Sequence, residues 1–215
     1  MKDIRCKSKI PSRDFILSDV EYDLSDEKLV RLVSSKVIFS PMHLFNGVSG
    51  AKNECLLRES VVKKIKQAAD TLPEGYYLKI YDAWRPLELQ KELYNRYKDG
   101  DCIDRDMISK PIKDLFNGPI HTTGGAVDIT IVNKQGIELN MGTKFGEYSE
   151  KSQTDYFELR FPDNIEVIKN RRLLYNVMTD VGFTNIPTKW WHYDFGNRYW
   201  AYYTKEPAKY GCEFV

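Results

Sequence analysis

Helical and extended patterns follow one another along this chain without the regular strand-helix repeat that a parallel sheet requires, and that irregular order constrains the fold most. From Glu54 to Leu72, the residues Leu57, Val61, Ile65, Ala68 and Leu72 recur at three- and four-residue steps, one apolar stripe of a helix that Pro73-Glu74-Gly75 ends. Tyr76 to Tyr81 alternates and is rich in aromatic and aliphatic side chains, a strand pattern. In Asp82-Ala83-Trp84-Arg85-Pro86, proline suits the first position of a new helix and keeps Arg85 extended at a strand-to-helix junction. That helix, to about Lys98, places Leu89, Leu93 and Tyr97 on one face. Ala126 to Val132 predicts a strand, Ile168, Leu174, Val177, Met178 and Val181 a helix stopping at Gly182, and Trp190 to Phe195 a final aromatic strand. The expectation is an α+β fold: one domain over residues 1–215, with a mostly antiparallel central sheet flanked by helices.

The remaining segments are less regular. Short runs such as Asp14 to Leu17 and Lys36 to Phe39, with turns at Asn46-Gly47 and Ser49-Gly50, predict short strands and loops in the first fifty residues. Asp99 to Pro119 reads as a long loop with one helical turn near Ile112 to Phe116, and long loops in compact domains are often functional. Thirty-two basic against thirty-one acidic side chains leave a charge of +1, too little field to hold a phosphate backbone or an anionic membrane. Neither nucleic acid nor membrane is expected as a partner, and the oligomeric state is left open. Met1 to Phe15 carries charges where a signal peptide needs an apolar core, and no run of about eighteen apolar residues occurs, so a cytoplasmic location is expected. Cys6, Cys55, Cys102 and Cys212 show no Cys-x-x-Cys spacing and read as reduced thiols. Trp84, Trp190, Trp191 and Trp200 read as core rather than as a stacking platform.

Only three histidines occur. His43, after Pro41-Met42, reads as structural. In His121-Thr122-Thr123-Gly124-Gly125-Ala126-Val127-Asp128, paired glycines bend the chain before an apolar strand that presents Asp128. With His192 in the aromatic strand, two imidazoles and one carboxylate from separate segments form a standard zinc ligand set that leaves a fourth position for water. The same trio is the facial triad of non-haem iron(II) oxygenases, so iron or another divalent metal stays open.

The stretch from His121 to Asp128 resembles the S-x-H-x-x-G-x-A-x-D motif of the D-Ala-D-Ala dipeptidases, the zinc metallopeptidases that include the vancomycin-resistance enzymes. Lys189-Trp190-Trp191-His192 is similar to their E-W-W-H segment. The likeness continues through Asp82-Ala83-Trp84-Arg85-Pro86, Met141-Gly142-Thr143, Arg171-Arg172-Leu173-Leu174, Met178, Gly182-Phe183 and Gly196-Asn197-Arg198-Tyr199-Trp200-Ala201, in family order from about residue 35 to 203. It implies a DD-peptidase/Hedgehog-like fold, zinc held by His121, Asp128 and His192, an oxyanion donor at Arg85, and a small peptide or amino-acid-derived substrate.

The sequence departs from the family at three places near that site. Lys189 stands where the family has its general base, a glutamate; Pro119 stands for the first serine of the motif; Gly146 stands for an aspartate in the region that recognises the dipeptide's amino end. As an ammonium, lysine cannot accept the proton of a metal-bound water. Beside a centre of net charge near +1, at about 5 Å and an effective dielectric of about 20, that ammonium is disfavoured by roughly 3 kcal/mol, which makes a partly neutral amine accessible. Lys189 is then a base, a metal ligand, a nucleophile, an anion holder or inert. Three functions follow: a metal-dependent enzyme on a small peptide or amino-acid derivative with altered chemistry, an inactive homologue that binds a peptide or cell-wall precursor, and an iron-type oxidoreductase.

Overall fold

The computed structural model describes residues 20–98 and 109–214. The Asp14 to Leu17 run, Cys6, Cys102 and the first part of the polar stretch from Asp99 lie outside those residues. In chain order the elements are strands β1 (Leu29–Arg31) and β2 (Val37–Phe39), helix α1 (Met42–Phe45), strand β3 (Leu56–Arg58), helix α2 (Glu59–Thr71), strand β4 (Tyr76–Asp82), helix α3 (Leu87–Lys98), strand β5 (Ala126–Asn133), helices α4 (Tyr156–Arg160) and α5 (Ile165–Thr179), strands β6 (Thr184–Asn185) and β7 (His192–Asp194), and helix α6 (Arg198–Thr204). β1 and β3 pair antiparallel. The central sheet has the order β2-β4-β5-β7-β6, antiparallel throughout except for the parallel edge pair β2 and β4. The fold is α+β, as the element order implies.

One face of this sheet is the core. Leu78, Ile80, Ile129 and Ile131 are fully buried in a cluster with Val61, Ile65 and Ala68 of α2 and Leu174 and Met178 of α5. Helix α2 forms because its apolar stripe meets this face and because Glu27 satisfies its first turn: the carboxylate accepts the Ser60 N–H at 2.8 Å and the Ser60 hydroxyl at 2.7 Å. The stripe starts later than its period suggests. Leu57 lies four residues before Val61 and fits the helical repeat, but it pairs with Val30 in the β1-β3 ladder. Near Ile112 to Phe116 there is a turn rather than a helix, since the Asp114 carboxylate accepts the N–H groups of Phe116 and Asn117 at 2.9 and 2.7 Å. The aromatic strand is also shorter than expected, with Trp190 and Trp191 in a turn that leads into β7. All four tryptophans are buried, as read from the sequence. Among the described residues no helix is long and apolar enough to cross a membrane.

A buried arginine ties α5 to the segment that precedes α4. Arg171 donates from Nε to the Met141 carbonyl at 2.8 Å, from Nη1 to Gln153 at 2.6 Å and from Nη2 to Lys151 at 2.7 Å. Arg171→Ala strips three carbonyls of a charged donor and is expected to cost about 3 kcal/mol or more in urea unfolding. The two described cysteines, Cys55 and Cys212, are free and buried. Burial pushes the Cys55 thiol up to about 12 and the Cys212 thiol up to about 11. At pH 8 both are expected to resist alkylation in the folded protein and to react fully in denaturant, a difference that peptide mapping reads directly.

Candidate metal centre

The register of the central sheet sets three polar side chains in a row on the face opposite the core. Asp128 on β5 is the direct partner of His192 on β7 and of Asp82 on β4. Asp82 reaches that row through a bulge: Ile80 pairs with Ile129, yet Asp82 pairs with Asp128. In a regular ladder Asp82 would share the core face of Ile80, and one extra residue on β4 turns it to the other side. Two carboxylates opposed on adjacent strands repel, so the row requires cations.

Arg85 supplies one. Its Nε donates to Asp82 Oδ2 at 2.9 Å, its Nη2 donates to the same oxygen, and its Nη1 donates to Gln90 Oε1 at 2.6 Å. Burial works against the charge of Asp82, but Arg85, His43 and His121 outweigh it and hold the carboxyl well below the usual range. Burial likewise works against Arg85, and Asp82 and Asp128 outweigh it. His43 is part of this arrangement, with Nε2 at 3.3 Å from Asp82 Oδ2.

His121 lies in a 3-10 turn, Ile120–Thr123, that Gly124 closes in the left-handed region at φ 72°. A Cβ on Gly125 would stand 2.5 Å from the Phe195 carbonyl oxygen, so only glycine lets the turn approach the end of β7. The turn is joined to the Arg85 junction by the Arg85 N–H donating to the His121 carbonyl at 3.3 Å and by the Thr122 hydroxyl donating to the Arg85 carbonyl at 2.9 Å. His121 Nδ1 lies 3.0 Å from the Ala83 carbonyl. A carbonyl only accepts, so Nδ1 carries a hydrogen, and Nε2, 3.5 Å from Asp128 Oδ1, is the nitrogen that faces the ligand row.

His192 has a carboxylate at each nitrogen. Nδ1 lies 2.8 Å from Asp128 Oδ1, and Nε2 lies 3.3 Å from Asp194 Oδ1 and 3.2 Å from Asp194 Oδ2. Burial would lower its pKa, but Asp194 and Asp128 outweigh that and it is pushed up to about 9. One donor atom from each of His121, Asp128 and His192 lies within 4.8 Å of the others, and all three residues are buried. Two imidazoles and a carboxylate converging in this way fit a divalent metal of the zinc type.

Lys189 sits in the turn before β7, its carbonyl accepting the His192 N–H at 3.2 Å. Its Nζ stands 5.5 Å from the centroid of the Tyr148 ring. Tyr148 packs edge-on to Trp191 at 5.9 Å and lies near enough to bear on the charge of Arg85. The structure therefore groups His121, Asp128, His192 and Arg85 directly and joins Lys189 to them through Tyr148. Sequence reasoning did not single out Asp82, Asp194 or Tyr148, and it read His43 as structural. Asp194 had a signal, because His192-Tyr193-Asp194 at strand period puts both polar side chains on one face.

The D-Ala-D-Ala dipeptidase family model matches residues 40–209, which include every residue of this site. The chain belongs to the D-Ala-D-Ala dipeptidase family. It is 26% identical over 178 residues to a D-alanyl-D-alanine dipeptidase of Synechocystis, covering 68% of this chain and 72% of that protein. It is 30% identical over 141 residues to a D-alanyl-D-alanine dipeptidase of Escherichia coli, covering 65% of this chain and 66% of that one, just under two thirds. Family membership supports a dipeptidase-like hydrolase function for the D-Ala-D-Ala dipeptidase fold seen here.

Proposed function

We propose that the protein is a metal-dependent enzyme of this family, zinc-loaded, that acts on a small peptide or amino-acid derivative with chemistry altered at Lys189. The convergence of His121, Asp128 and His192 beside the Arg85 guanidinium carries this reading. In it the three residues hold the ion, and a divalent metal bound there would polarise a carbonyl and acidify a water. Arg85 keeps its cationic donors beside the ligand row, pre-oriented by Asp82 and Gln90, and offers them to the oxygen that gains charge.

Lys189 acts as an ammonium in this proposal. The sequence-based penalty of roughly 3 kcal/mol assumes one carboxylate at the centre. Asp194 adds a carboxylate behind the ligands, Asp82 offsets the charge of Arg85, and the Tyr148 face favours a cation. An ammonium there orients an anionic group of the substrate and does not take a proton from water. Zinc-loaded protein assayed against D-Ala-D-Ala and a dipeptide panel tests the reading. Turnover of any of them supports a peptidase. Saturable binding without turnover favours the second reading, an inactive homologue that holds a peptide or cell-wall precursor, for which the lysine at position 189 is the specific argument.

A further inference from the structure

The geometry points to Asp194 as a positioning residue of the metal centre: it holds the His192 ring with Nδ1 turned to Asp128 and His121, and Asn197 holds Asp194. This rests on the reading of His121, Asp128 and His192 as metal ligands. Asp194 lies two residues after His192 on β7, so both side chains leave the same face of the strand. Its backbone is paired on both sides, with Ala126 of β5 and Thr184 of β6, which leaves the carboxylate little freedom to move. The residue is 0% exposed, and both of its oxygens stand within 3.3 Å of His192 Nε2.

Asn197 fixes the carboxylate from the other side, its Nδ2 donating to Asp194 Oδ1 at 2.6 Å. The Asn197 oxygen is committed elsewhere: it accepts the Tyr199 and Trp200 N–H groups at 3.1 Å and so caps α6. With oxygen and nitrogen both assigned, the amide cannot exchange its ends, and α6 becomes the foundation on which the carboxylate stands. An imidazole whose Nε2–H donates to a carboxylate presents the Nδ1 lone pair to a metal and becomes a more basic ligand. His121 meets the neutral Ala83 carbonyl at 3.0 Å at its outer nitrogen, with a carboxylate oxygen, Asp82 Oδ2, farther off at 3.6 Å and already bonded by Arg85. The two histidines are thus unequal, with His192 the stronger donor.

Asp194→Asn keeps the size of the side chain, removes its charge and turns an amide N–H toward Nε2. The expected result is a zinc affinity about 10- to 100-fold lower, read by competition with a chromophoric chelator. The visible bands of the cobalt(II)-loaded protein are expected to shift while far-UV circular dichroism stays as in the wild type, which a purely structural role would not produce. Asn197→Ala leaves the carboxylate but removes its anchor and is expected to give a smaller loss with the same spectral trend; it carries the test if Asp194→Asn does not fold. Wild-type zinc affinity and an unchanged cobalt spectrum in the folded variants would overturn the inference. Failure of the wild-type protein to bind zinc would overturn the ligand reading itself, and is seen separately in the same titration.

Discussion

Zinc supplied at about a thousandfold above its dissociation constant is expected to stabilise the protein by about 4 kcal/mol, and Asp128→Asn to abolish that gain. In a chain of this size it corresponds to a rise in Tm of about 8–16 °C, followed by circular dichroism and reversed by a chelator. Asp128 is the residue to change because one oxygen serves both histidines, at 2.8 Å from His192 Nδ1 and 3.5 Å from His121 Nε2. Its loss removes the negative charge around which both donors converge and leaves the cation with two neutral ligands. A full thermal shift in Asp128→Asn would mean that zinc binds elsewhere.

Lys189→Glu is expected to raise D-Ala-D-Ala hydrolysis by about 10²- to 10⁴-fold, the range a positioned general base contributes. The turn that carries residue 189 is held by backbone bonds, Lys189 N–H to Ile186 and His192 N–H to Lys189, so it does not depend on the side chain that changes. The Tyr148 contact is lost, at about 0.5–1 kcal/mol for a partly exposed cation–π pair. If steady-state assays show no gain, the deficit lies at Pro119 and Gly146 as well. Pro119 opens the 3-10 turn at φ −61° and has no side-chain hydroxyl, while Gly146 sits at φ 77°, a conformation in which an aspartate is strained. The departure at position 146 therefore involves the backbone as well as a missing carboxylate.

Much of the site was legible because its parts lie in short contiguous patterns. The glycine pair between His121 and Asp128 has a turn to make, and the aromatic run around His192 has a core face to fill, so both histidines stood out in the sequence and the family resemblance joined them as ligands. Helices α2, α3 and α5 were legible from apolar periodicity, with errors at their ends. Leu57 shows why: a residue at the right spacing for a helix also suits a three-residue strand when a partner such as Val30 lies far away in sequence. The β4 bulge left no local signature, since whether Asp82 faces the core or the site depends on its register against β5. Asp82 was therefore given no role of its own beside Arg85, and His43, four residues after β2, gave no sign of its place behind Asp82. The supporting carboxylates were harder to read than the ligands because their role depends on which nitrogen of an imidazole they reach.

The three carbonyls gathered by Arg171 set how far the loop beside this site can move. They pin both ends of the segment that carries Phe145 and Tyr148, and those rings stand against Trp191 at 5.6 and 5.9 Å. A segment tied at both ends to the helix layer is a wall rather than a hinged lid, so little closure of this loop over the metal centre is expected. Amide exchange at Ser152 and Gln153, whose N–H groups donate to the Ser149 and Glu150 carbonyls, should then be slow, with no change when a ligand binds.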